Sequence, residues 1–232
     1  MTFSRLTGII PDRMGSYKHT ILSVFRLLVT LASLFAVAVL FHRNLASKNA
    51  VGALVHTLAY FTVQTNLFVC GWNIAALGRE SRGKNSGKNA GFLRGAFVVF
   101  ISVTCIVYAL FLRPYWKPEG LMATADVILH FVVPLSFILD WIVTEKPGTL
   151  RPRWTFAWLI YPLVYLAGAL FFARLTGIYV YPFIDLSKLG PGRFTLNALA
   201  LALGFLILSW FYVGVDALKK HFVRYDSCKT VR

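Results

Sequence analysis

Six apolar runs divide this chain: about Thr20 to Phe41, Val51 to Leu77, Phe92 to Leu112, Leu121 to Val143, Trp154 to Ala173 and Phe194 to Val215. A helix needs roughly 20 apolar residues to cross a bilayer, and each run is near that length. The pattern predicts an all-α, polytopic membrane protein: a six-helix transmembrane bundle over residues 20–216, an N-terminal tail over 1–19 and a basic C-terminal tail over 217–232. The longest connections, Gly78 to Gly91 and Thr176 to Gly192, leave no room for a separate soluble domain. Arg5, Arg13 and Lys18 precede the first run, as in a signal peptide, but the run is too long for a signal core and no small-x-small cleavage site follows, so it reads as a span.

Composition agrees: 57% of residues are apolar, 14% are charged and the mean hydropathy is +0.65, values foreign to a soluble domain. Lys and Arg orient the bundle. The two tails and the second and fourth connections carry 15 of them, including Arg79, Arg82, Lys84 and Lys88, against seven on the opposite face. By the positive-inside rule both termini are cytoplasmic, and these loop ends account for most of the net charge of +15. Basic residues spread over loop ends argue against a nucleic-acid partner, which would need them gathered on one folded face. The expected location is the inner membrane of a bacterium, or otherwise an endomembrane or plasma membrane. Cys70, Cys105 and Cys228 form no CxxC motif, so they suggest neither a metal site nor a thiol oxidoreductase.

Polar residues inside the spans carry the chemistry. The second run contains His56, Thr57, Thr62, Gln64, Thr65, Asn66 and Asn73; helical spacing puts Thr62, Thr65 and Asn66 on one face, with Gln64 pointing elsewhere. The fourth run carries Asp126, His130 and Pro134 at successive i, i+4 positions, then Asp140 toward the cytoplasmic end. An Asp one turn from a His accepts its N–H and holds one tautomer. Counted along continuous helices from the same side, Thr62 and His130 lie roughly 14 to 17 Å deep. A hydroxyl and an imidazole meeting inside a bundle are the minimum for nucleophilic acyl transfer. An intramembrane histidine is a functional-site hypothesis by default, whereas a membrane threonine commonly bonds its own i−4 carbonyl or a neighbouring helix. His56 reads as an interfacial or packing residue, and Arg26 as an interfacial anchor or the partner of an acid on the inner side.

The segments YFTVQTNL, ILHFVVPLSFILDW, WLIYPLVYL and TGIYVYPFIDLSKLGPG, in this order, resemble the androgen-induced-protein family of six-helix membrane proteins, whose eukaryotic members hydrolyse fatty acid esters of hydroxy fatty acids. The likeness runs from about Thr20 to Phe211 and is most specific in TGIYVYPF followed by LGPG. It implies Thr62 as nucleophile and His130, four residues before Pro134, as general base. The chain departs from the family in reading VQTNL where the eukaryotic pattern has FIDL, and Asp126 where that pattern has asparagine.

The expected activity is therefore hydrolysis of a lipid ester drawn from the membrane, with no metal or organic cofactor. Asn66, Thr65 and Tyr161 are candidate oxyanion donors, and Asp126 supports the base. Tyr179, Tyr181 and Asp185 belong to the segment Gly177 to Asp185, read either as an interfacial aromatic belt or as a lid over a lipid cavity. Pro182 and the turn at Leu189-Gly-Pro-Gly suggest a fixed loop. Three other readings remain open: a transporter-like or small-ligand-binding protein using the stripe of Thr62, Asn66, Asp126 and His130; a haem held by His56 and His130; and a scaffold whose polar residues only join helices. The sequence shows no convincing similarity between its first and last three runs, which a repeat-built transporter would favour.

Overall fold

The computed structural model describes residues 10–80 and 90–229, and every regular element in them is helical. Residues 1–9 and the basic connection bearing Arg82, Lys84 and Lys88 lie outside the described residues. In chain order the elements are α1 (Ile10–Leu45), α2 (Ala50–Leu58), α3 (Phe61–Glu80), α4 (Ala90–Val107) with a π-helical end (Tyr108–Leu112), α5 (Gly120–Val127), a π-helical turn (Ile128–Val132), α6 (Val133–Thr144), α7 (Trp154–Thr176), a 3-10 turn (Pro182–Ile184) and α8 (Leu186–Lys229). Five helical stretches are long and apolar enough to cross a membrane, and α2 with α3 makes a sixth if the pair is one span.

That pair departs from the continuous helix expected for the second run. The chain bends by 84° between α2 and α3 at Ala59 and Tyr60. α3 alone, at 20 residues, is about 30 Å long, so it does not need α2 for length. Neither Gly nor Pro stands at the bend, and side chains from elsewhere hold it. The Tyr165 hydroxyl accepts the Phe61 N–H (3.1 Å) and donates to the Ala59 carbonyl (2.9 Å). Gln64 donates from Nε2 to the Leu58 carbonyl (2.7 Å), and the Tyr161 hydroxyl donates to Gln64 Oε1 (2.6 Å). Phe61 wedges among Phe100, Tyr161, Tyr165 and Phe205, with ring centroids 5.0 to 6.5 Å away.

Both π turns precede a proline. Pro134 has no N–H to give the His130 carbonyl and its ring would crowd that oxygen; instead the Val133 N–H reaches back to the Ile128 carbonyl, the wider i+5 pattern. Ahead of Pro114, the Arg113 N–H likewise bonds the Tyr108 carbonyl at 2.9 Å. In α8, Gly190 (φ 69°, ψ 168°) interrupts the helix after its first turn and Pro191 restarts it.

An ion cluster pins α1, α4 and α6 at the end of the bundle away from Pro114. Asp140 receives Arg26 (3.0 Å) and Arg94 (2.8 Å), and Arg94 also pairs with Glu145 (2.9 Å). All four side chains are at least nine-tenths buried, so the charges are balanced two against two where water cannot screen them.

Tyr165→Phe strands the Ala59 carbonyl and the Phe61 N–H, each costing about 1–3 kcal/mol. The expected outcome is a clearly lowered unfolding midpoint in detergent, and an unchanged midpoint would show that the bend does not depend on this hydroxyl.

Candidate active site

Thr62 is the second residue of α3, so the break places it at a buried helix N-terminus instead of mid-helix. The positive end of the α3 dipole falls there. Thr65 Oγ1 pairs with Thr104 Oγ1 at 2.9 Å, which sets this end of α3 eight residues, about 12 Å, inside the Leu112 end of α4. His130 lies ten residues, about 15 Å, from Gly120. The two therefore meet well within the bundle although the span between Val51 and Thr62 is bent.

Thr62 Oγ1 is 3.3 Å from His130 Nε2. On the other side of the ring, Nδ1 lies 2.9 Å from the Asp126 carbonyl oxygen and 3.2 Å from Asp126 Oδ1. Both oxygens only accept, so in the neutral ring the proton sits on Nδ1 and Nε2 presents its lone pair to the Thr62 hydroxyl. The Asp126 carboxylate also receives the Tyr108 hydroxyl and, at 3.2 Å, the Trp116 Nε1–H. The Tyr108 ring stacks on His130 with centroids 3.7 Å apart and planes 14° apart. The imidazole is thus fixed at both nitrogens and along one face.

Tyr181 approaches Thr62 from the segment before α8. Its hydroxyl oxygen accepts the Thr62 N–H and lies 3.3 Å from Thr62 Oγ1. Burial raises its pKa, so it remains a neutral hydroxyl with a proton to donate. Tyr181 also stacks on Phe183 at 5.1 Å.

The remaining expected residues lie around this centre. Asn66 donates to the Thr62 and Leu129 carbonyls (2.8 and 3.1 Å), and Thr65 donates to the Thr62 carbonyl (3.1 Å); with Tyr161 committed to Gln64, the three expected oxyanion donors are engaged in holding α3. Asp185 caps α8, accepting from the Ser187 and Lys188 N–H groups at 3.1 and 3.2 Å. Tyr179 is half-buried beside this segment. His56 packs on Tyr60 and Phe172, while both ring nitrogens of His130 are already engaged. Tyr108, Trp116 and Tyr165 were not anticipated. Pro114 between the first two was the available signal, since a proline there perturbs the helix that carries Tyr108.

A cavity of about 680 Å³ opens on this group, within the size range of small-molecule sites. Thr62, His130, Asp126 and Tyr181 line it, with Arg43 and Trp116 among the other walls. The Arg43 guanidinium lies 5.1 Å from the centre of the Trp116 ring. Comparison with family models, with curated proteins and with solved structures finds no match.

Nitrogen NMR of histidine-labelled protein in the neutral form is expected to show His130 protonated at Nδ1. A predominantly Nε2-protonated ring would take the acceptor away from Thr62 and overturn this arrangement.

Proposed function

We propose that this protein is an intramembrane hydrolase of amphiphilic lipid esters, with Thr62 as nucleophile and His130 as general base. The observation that carries the reading is the Thr62–His130–Asp126 relay, a hydroxyl, an oriented imidazole and an orienting carboxylate facing a common cavity. Fatty acid esters of hydroxy fatty acids, the substrates of the family it resembles, are the reference class.

The chemistry runs in two halves. Thr62 Oγ1 attacks the ester carbonyl as His130 Nε2 takes its proton, and the imidazolium is balanced by Asp126. The oxyanion forms at the N-terminus of α3, where the Tyr181 hydroxyl is the donor within reach of Thr62 Oγ1. Collapse breaks the bond to the leaving oxygen, which receives the proton from Nε2 and departs as the alcohol. Water then gives its proton to Nε2 and attacks the acyl-threonine. The acid leaves, and the Thr62 oxygen recovers the proton.

A transporter-like or ligand-binding reading also draws on a specific observation, because half-helix N-termini at a break commonly face anionic ligands in membrane carriers. The two readings diverge at the Thr62 hydroxyl. A small fluorophosphonate is expected to give one covalent adduct on Thr62 by intact-protein mass spectrometry, lost in Thr62→Ala. His130→Ala is expected to cut ester turnover by about a hundred- to ten-thousand-fold. A folded wild type that neither forms the adduct nor cleaves any of a panel of fatty acid esters would favour the binding protein.

Tyr181→Phe removes the proposed oxyanion donor and is expected to lower kcat by about 10²–10³ with little change in KM. A fall confined to KM would assign Tyr181 to substrate binding instead.

A further inference from the structure

Thr62 lines two spaces, both largely apolar, of which one also carries charged and polar groups. The larger cavity holds the polar groups: His130, Asp126, Trp116 and Arg43. Behind Thr62 is a small pocket of about 80 Å³, also touched by Tyr108 and Tyr181, and adjoining it is a cleft of about 380 Å³ between α4 and α8. The two share Val103, Val107, Phe183, Leu201 and Phe205, so the cleft lies directly beside the pocket behind Thr62, with these side chains between them. Asn197 is the one polar side chain lining the cleft, and its amide is turned to the Phe183 carbonyl at 3.0 Å. Ile106 and Phe111 on its rim are exposed, so the cleft opens sideways on the apolar flank of the bundle. Along α8 it runs from Asn197 to Leu208, about 16 Å.

Resting on the hydrolase reading, we infer that the α4–α8 cleft is the subsite for the substrate's aliphatic acyl chain, reached laterally from the bilayer. Proton transfer decides which half of the ester goes where. The leaving oxygen must meet His130 Nε2, and His130 lines the larger cavity but neither the small pocket nor the cleft. The alcohol half therefore lies on the polar side and the acyl chain on the other. Small side chains on α8, Ala198, Ala200, Ala202 and Gly204, leave the space open. A Cβ at Gly204 would meet nothing within 4 Å, so a larger residue there would fill the cleft before it disturbed the packing.

The test uses full-length protein in nanodiscs and methylumbelliferyl esters from acetyl to palmitoyl. Gly204→Leu is expected to lower the ratio of kcat/KM for palmitoyl over acetyl at least ~10-fold, since one misplaced methylene already costs about that much in an apolar site. Gly168→Leu, exposed on α7 with open space about its Cβ, is expected to leave the ratio alone. Ala200→Leu serves as the second filling variant if Gly204→Leu does not fold. An unchanged ratio in a filling variant that still turns over esters and still labels at Thr62 overturns the acyl subsite and leaves the hydrolase standing. The same unchanged ratio together with crosslinking of a photoreactive phosphatidylcholine into the cleft assigns it to bilayer lipid, and also overturns the proposal. A wild type without adduct or turnover fails the hydrolase reading and the subsite with it.

Discussion

A helix broken inside an apolar bundle strands carbonyls at the end of its first half and N–H groups at the start of its second, and in hydrocarbon each such group costs several kcal/mol. At Ala59 and Tyr60 the rest of the molecule meets that cost. Tyr165 from α7 serves one donor and one acceptor across the gap, Gln64 folds back to the Leu58 carbonyl, Tyr161 holds Gln64, and Tyr181 takes the Thr62 N–H. Three of these four residues lie beyond residue 160, far along the chain from the break they satisfy. The placement of α7 and of the segment before α8 is thus coupled to the placement of Thr62. Without that set of hydroxyls, continuing the helix through Tyr60 would be the cheaper conformation, and Thr62 would lose its position at a helix N-terminus.

The same economy governs the charges. Two of the buried carboxylates, Asp140 and Asp126, are resolved differently. Asp140 is neutralised by two guanidinium groups and joins three helices. Asp126 is met instead by a phenol, an indole and an imidazole. Neutral donors hold such a group in place without cancelling its charge, so its field stays available to an imidazolium forming beside it. That contrast separates the structural acid from the one suited to chemistry.

Much of this was legible in the chain. The all-helical class, the five or six apolar segments long enough to span a membrane, the polar stripe of Thr62, Thr65 and Asn66, and the i, i+4 pair of Asp126 and His130 follow from periodicity, and the structure brings Thr62 and His130 within 3.3 Å. The break was not legible, because LAYFT carries none of the residues that interrupt helices locally; its cause is tertiary, in tyrosines a hundred residues away. For the same reason Gln64, which the helical wheel turns away from the stripe, gained its meaning only once the Leu58 carbonyl was seen to need a donor. Thr65 and Asn66 share a face with Thr62 as expected, yet their donors hold α3 in place and do not face the cavity. Sequence spacing says which side chains are neighbours, and not which of their hydrogen bonds are already spent.

The π turns bear on how rigid the centre must be. Widening a helix by one residue costs favourable geometry, and here it occurs twice, before Pro114 and Pro134, on the two segments that supply the stacked rings Tyr108 and His130. A regular helix through either position would rotate one ring relative to the other and disturb their stacking. Each proline removes the hydrogen bond that would favour the regular form, so the wider turn competes against a weakened alternative. A binding cavity tolerates such a rotation by repacking its walls. A proton relay, which depends on heavy-atom separations near 3 Å at successive atoms, does not, and the repeated use of proline to hold both rings is more readily understood as the support of a relay than as the lining of a pore.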